Sequence, residues 1–132
     1  MLQCTVVTPE QTLYNQQAEF VALSLYDGEI GIAPGHTPLI GRLGFGEMRI
    51  RREGQQTDRY YIEGGFVEVL DDVVSVLTQR AIPAGDIDAA VAREQLLSAQ
   101  SRRASTPEAA AARDRVVAQS RAQLHIATRA KP

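Results

Sequence analysis

The sequence predicts a two-part fold, an antiparallel β-sandwich or flattened barrel followed by an antiparallel two-helix hairpin, and three observations carry that prediction. Short segments of alternating apolar and polar residues, punctuated by turn residues, run to about Gln79. Pro83 and Gly85 then break the strand pattern, and from Asp86 the chain turns to Ala, Arg, Gln and Glu, the residues that lose least on entering a helix. The boundary therefore falls between an N-terminal unit, residues 1–85, and a C-terminal unit, residues 86–132.

Within the first unit, Phe20, Ala22 and Ser24 alternate with Val21, Leu23 and Leu25 up to the turn Asp27-Gly28. Met48, Ile50 and Arg52 alternate with Arg49 and Arg51, which gives a strand with one apolar and one basic face. Gly54 to Gln56 reads as a hairpin loop before Tyr60, Tyr61 and Ile62. Phe66 to Leu70 and Val73 to Leu77 flank Asp71-Asp72, a strand, tight turn and strand. Many short strands at turn spacing favour two sheets that bury their apolar faces against each other.

In the second unit, Asp86 is placed to cap a helix running to about Arg103, and Ser105 or Thr106 to cap another, with Pro107 at its favoured first position and Glu108 complementing the dipole. The connection between them is short, as an αα-hairpin requires. Ile87, Val91, Leu96 and Leu97 supply the first apolar stripe and Val116, Val117, Leu124 and Ile126 the second, with alanine filling much of the rest. Small side chains bury little area, so such a hairpin gains only a few kcal/mol from packing at roughly 25 cal/mol per Å2. A movable element is expected, its conformation set by what it touches.

Composition narrows the function classes. Hydrophobic residues at 44% and charged residues at 23% fit a globular protein rather than a disordered or collagen-like chain. No apolar run approaches the roughly 20 residues of a transmembrane helix, so any membrane association is expected to be indirect. The first residues, Met1 to Val7, show neither a basic leader nor a long apolar core, and no targeting peptide is expected. Cys4 is the sole cysteine, which rules out an intrachain disulfide and agrees with a reducing compartment. The net charge of −2 conceals an asymmetry: residues 1–85 carry six Arg against eleven acids, whereas residues 86–132 carry eight basic residues against five acids. The basic excess lacks stacking aromatics, because none follows Phe66, so an acidic protein partner suits it better than nucleic acid.

Candidate sites are few. The segment Asp27-Gly-Glu-Ile-Gly-Ile-Ala-Pro-Gly-His-Thr-Pro-Leu39 cannot be a regular helix; it is a rigid loop between strands, or a presentation loop offering Glu29 and His36 to a partner, and both readings are compatible. His36 and His125 are the only histidines and lie on opposite sides of the boundary; no residue spacing builds a known nucleophile, metal cage or paired-acid site. No catalytic residue, metal site or cofactor is expected. Gly41, Gly44 and Gly46 lack phosphate-loop spacing. Arg102, Arg103, Arg113, Arg115 and Arg121 read as the solvated faces of helices or, alternatively, as forks for carboxylates on a larger partner.

Val7-Thr-Pro-Glu10, the segment from Asp27 to Leu39, Gly46 to Ile50, Gly64-Gly-Phe-Val-Glu-Val69 and Ile87-Asp88, in this order and spacing and followed by an Ala-rich hairpin, resemble the epsilon-subunit family of rotary ATP synthases along nearly the full length. The resemblance implies ten strands in the sandwich, followed by two helices. It implies a non-catalytic rotor subunit, peripheral on the cytoplasmic face of the bacterial inner membrane, whose sandwich sits on the gamma shaft and touches the c-subunit ring. Glu29 and His36 match the ring-facing loop. The hairpin would fold on the sandwich or extend into the head of alpha and beta subunits, Arg102, Arg103, Arg113, Arg115 and Arg121 meeting an acidic segment of beta and braking ATP hydrolysis. Relatives that bind ATP here resemble Ile/Leu-Asp-x-x-Arg-Ala, whereas this chain has Ile87, Asp88 and Ala92 with Val91 at the arginine position. Arg93 lies about 200° further round a helix, so weak or absent ATP binding is expected. Two rival classes are a free-standing small-molecule-binding β-domain with a helical tail, and a minor hydrolase using His36 with Glu29 or Asp27.

Overall fold

The computed structural model describes residues 1–54 and 57–129; Gln55 and Gln56 of the expected loop after Gly54, and residues 130–132, lie outside the described residues. Ten strands come first: β1 (Leu2–Val7), β2 (Thr12–Ala18), β3 (Phe20–Leu25), β4 (Gly28–Ile32), β5 (Leu39–Arg42), β6 (Phe45–Arg51), β7 (Thr57–Glu63), β8 (Phe66–Leu70), β9 (Val73–Leu77) and β10 (Ala81–Pro83). A 3-10 turn at Ala84–Asp86 leads to α1 (Ala89–Ser101) and α2 (Pro107–Thr128). The strands form two five-stranded sheets, one ordered β2-β1-β9-β8-β5 (sheet A) and the other β10-β7-β6-β3-β4 (sheet B). Pairing is antiparallel throughout the described sheets apart from β1 and β9, which run parallel from Gln3↔Val73 to Val7↔Leu77.

Period-two alternation decides which side chains enter the sandwich. Leu2, Cys4 and Val6 of β1, Val67 and Val69 of β8 and Val74 and Val76 of β9 point inward from sheet A; Val21 and Leu23, Ile32, Met48 and Ile50, and Ile62 meet them from sheet B. The apolar side of the basic-faced strand is thus Met48 and Ile50, both without exposure, while Arg52 falls beyond the strand end and pairs with Asp58 at 2.9 Å. Burial pushes the Cys4 thiol up to about 12, which makes it an inert core residue.

Two turn positions need special backbone. Asp71 and Asp72 both have positive φ, 50° and 63°, the pattern of a two-residue hairpin turn whose twist matches the flanking strands. At the corner where the chain passes from β7 in sheet B to β8 in sheet A, Gly65 has φ of +103°, and a Cβ there would overlap the carbonyl oxygen of Leu77.

The hairpin corrects two expectations. Asp88, not Asp86, caps α1: its Oδ1 accepts the N–H groups of Ala90 and Val91 at 3.0 and 3.2 Å, because Asp86 belongs to the preceding 3-10 turn and Ile87 stays extended, which moves the helix start by two residues. Thr106 caps α2 through the N–H of Ala109, with Pro107 at the first position. The buried seam is also different. Val91 and Leu97 are 46% and 62% exposed, whereas Ala92, Ala99, Ser120, Gln123 and Ile126 are buried. Of the expected stripes only Ile126 is fully buried; Ile87, Leu96, Val116, Val117 and Leu124 are half-buried. Alanines and a single fully buried isoleucine give the hairpin a weak grip, since full burial of one such aliphatic is worth about 1.5–3 kcal/mol.

Candidate functional site

The two outer faces of the sandwich differ in kind. The outer face of sheet B carries α2, and its residues there are Glu47 and Arg49 of β6 opposite Tyr61 and Arg59 of β7. Tyr61 is wholly buried; its hydroxyl donates to Glu63 Oε1 at 2.9 Å, and burial with the nearby Glu63 charge raises its pKa.

Glu47, 6% exposed, is the hub of that face. Arg59 reaches its Oε2 at 2.6 Å, Arg49 its Oε1 at 3.0 Å, and Arg129, just past α2, its Oε1 at 2.7 Å. Burial pushes the Glu47 carboxyl up, but the Arg49 and Arg59 hydrogen bonds and the Arg59 and Arg129 charges outweigh it and hold its pKa below the ordinary carboxylate value. Arg59 also donates to the carbonyl oxygen of Ile126 at 2.9 Å, satisfying a helix-end carbonyl that has no partner within α2.

Among the described residues nothing covers the outer face of sheet A, which is apolar at both ends. Phe66 opposite Leu77, and Leu70 opposite Val73, stand on it beside Ile40 of β5, with Glu68 and Ser75 between. Phe66 is 56% exposed and Ile40 76%. Near Phe66 and Leu77, Val7, Pro9 and Gly65 line a shallow apolar groove.

The expected loop residues separate. Glu29 sits early in β4 opposite Ser24, 3.6 Å from Arg49 and beside the groove under α2. His36 lies beyond the other end of β4; its Nδ1 is 2.7 Å from the carbonyl oxygen of Thr37, and its N–H donates to Ala33. Among the described residues no hydrogen bond or ion pair joins the two side chains. The loop is instead tied to the β8–β9 turn, where Asp72 Oδ1 accepts the Gly35 N–H at 2.7 Å. Arg102, Arg103, Arg115 and Arg121 are exposed, and Arg113 is half-buried beside Asp114 at 3.1 Å. At the positions of the ATP-binding motif, Asp88 is spent on its helix cap, Ile87 is half-buried and Ala92 is buried.

The sequence reading missed both faces. Glu47 shares the odd-numbered parity of Arg49 and Arg51, so the alternation that exposed a basic face also placed an acid on it; the Arg59 and Arg129 partners required the fold. The bare face was signalled by β8 and β9 being apolar at both parities, more hydrophobic than a strand with one solvated face needs.

The sandwich thus presents one exposed apolar face and one face that grips a thin hairpin. Among the described residues no group of three His, Cys, Asp or Glu could hold a metal, and no helix is long and apolar enough to cross a membrane. The family model for the β-sandwich domain of the ATP synthase delta/epsilon chain matches residues 1–84. The ATP synthase epsilon chain of Rhodopirellula baltica is 46% identical over 123 residues, 93% of this chain and 95% of that protein. That of a Janthinobacterium species is 46% identical over 94 residues, 70% of this chain and 67% of its own length. This chain belongs to the ATP synthase delta/epsilon family, as an epsilon-type, non-catalytic subunit. Its fold is shared with a chain in the Euglena gracilis mitochondrial ATP synthase OSCP/F1/c-ring structure, at a TM-score of 0.88 and 23% identity, covering 97% of this chain and 81% of the other. A chain from the Tetrahymena thermophila mitochondrial ATP synthase central stalk and c-ring gives 0.74 at 15% identity, covering 96% of each.

Proposed function

We propose that this subunit is part of the central stalk, bound to the gamma shaft and the c-subunit ring, where it links proton-driven rotation to ATP synthesis made on alpha and beta subunits. The observation that carries this reading is the bare outer face of sheet A, where Phe66, Leu77, Leu70, Val73 and Ile40 form an unpartnered apolar surface on a rigid sandwich. Such patches mark protein contacts, and a close-packed core transmits strain with little compression. The shaft docks there. The loop bearing His36, with Glu29 on the neighbouring strand, faces the ring. Residues 1–85 and 86–132 act as separate domains: the sandwich core contains no helical side chain, and the hairpin is held by a small buried seam. Released, the hairpin presents Arg102, Arg103, Arg113, Arg115 and Arg121 to an acidic surface of the catalytic head and restrains hydrolysis. The work is done peripherally, on the cytoplasmic face of a bacterial inner membrane.

Two variants test the reading. Phe66→Asp with Leu77→Asp should abolish co-purification with gamma while leaving the sandwich folded by circular dichroism. Deleting everything after Gly85 should keep assembly and raise hydrolysis by the reconstituted motor. Retention of gamma by the double variant, or an unchanged hydrolysis rate, would remove the shaft face or the brake respectively.

A further inference from the structure

We infer that Glu47 and Arg59 form a receptor for the C-terminal end of α2, gripping the helix by a last-turn carbonyl and by the guanidinium that follows it. The inference rests on the reading above in one respect, that the hairpin leaves the sandwich.

The receptor is made of neighbouring strands. Glu47 of β6 and Arg59 of β7 pair at 2.6 Å on the outer face of sheet B, and both side chains are less than a tenth exposed. Each then makes one further bond to α2's end. Arg59 Nη2 donates to the Ile126 carbonyl oxygen at 2.9 Å, and Arg129 Nη1 donates to Glu47 Oε1 at 2.7 Å. Carbonyls of a helix's last turn lack intrahelical partners and carry the negative end of its dipole, so a cation from the sheet is the group that suits them. The carboxylate beside it suits a cation placed three residues later. A helix N-terminus, or a C-terminus without a following cation, would satisfy only half of the pair. Ile126, fully buried, fixes the register between the two bonds.

Charge makes the grip reversible. When α2 departs it takes Arg129 and Arg121, leaving Glu47 and Glu29 on the sheet against Arg49 and Arg59. The vacated face is neutral and its carboxylate keeps two guanidinium partners. Release therefore strands no lone buried charge, the outcome that makes broken ion pairs costly. A receptor that is neutral when empty can bind and release its ligand repeatedly, and Arg129, 43% exposed, stays open to a competing acidic group.

The test reads distance rather than activity. Spin labels on Gln17→Cys and Ala111→Cys, both exposed, report hairpin position in the full-length chain by pulsed electron resonance; buried Cys4 remains in place. Wild type should give a main docked distance and a minor open population that grows as salt is raised. Arg129→Ala should raise the open-to-docked ratio about tenfold, the loss of one charged hydrogen bond, and weaken the salt dependence. Arg59→Lys, which keeps the charge and loses the fork, should do the same, and Glu47→Gln combined with Arg129→Ala should add little to Glu47→Gln alone. Arg93→Ala on exposed α1 is the control. If Arg59→Lys fails to fold, Arg129→Ala decides alone. Wild-type distance distributions in Arg129→Ala would overturn the receptor. Because hydrolysis is not read, a hairpin that docks through this pair yet does not brake the motor remains distinguishable from one that does not use the pair.

Discussion

Asp72 accepts the backbone N–H of Gly35 at 2.7 Å across 37 residues of chain, so the turn between β8 and β9 holds the loop that carries His36. The bond has a cost at the turn itself: Asp72 has φ of 63°, a conformation glycine adopts more readily. Replacing Asp72 with glycine separates the two effects. The hairpin should keep its stability to within about 1 kcal/mol, while the Gly35 amide, exposed and protected only by this carboxylate, should exchange with solvent at least about tenfold faster. Hydrogen exchange followed by NMR reads both.

Gly65 offers no such freedom. Its φ of +103° and the overlap a Cβ would make with the Leu77 carbonyl mean that Gly65→Ala must move the corner between the sheets. A loss of at least about 2 kcal/mol is expected, seen as a lower denaturant midpoint at constant slope. Gly54→Ala should cost less, because a side chain there strains φ, at +63°, but meets nothing within 4 Å.

The pH dependence of stability follows from Glu47. Its carboxyl titrates below the ordinary value in the folded chain, so between the two values the unfolded chain binds more protons. The contribution is fully present above about pH 4, the unfolded carboxylate value, and is lost as pH falls through the lower folded one. Acid unfolding monitored by circular dichroism should therefore be shallower in Glu47→Gln, with the difference confined to the acid limb.

Nucleotide binding should be weak or absent. Asp88 already caps α1, and Val91 is an exposed aliphatic with no charge to offer a phosphate. A millimolar ATP titration should give no saturable NMR shifts around Asp88, and Val91→Arg should introduce them. Saturable shifts in the unmodified chain would contradict this expectation.

Much of the fold was legible because period-two alternation is a local property. Met48 and Ile50 could be assigned to the interior from neighbours alone, and Asp71-Asp72 announced its turn, whereas Val67, Val69, Val74 and Val76 lie in strands apolar at both parities and needed the second sheet to fix their side. The hairpin was legible as helices but not as a seam: among so many alanines, whether Val91 or Ala92 faces inward depends on how close two helices come, which propensity does not encode. Glu47 shows the same limit. Its parity was readable, but Arg129 lies 82 residues away, and a contact between a strand and the far end of a helix exists only once both are placed.

The parallel pairing of β1 with β9 has a consequence for biosynthesis. β1, an inner strand of sheet A, leaves the ribosome some seventy residues before its partner, Val73–Leu77. Until then β1 has only β2 beside it, and a two-stranded ribbon is barely stable alone. The sandwich should consequently close late and in one step, leaving the nascent chain dependent on chaperone shielding until Leu77 clears the exit tunnel.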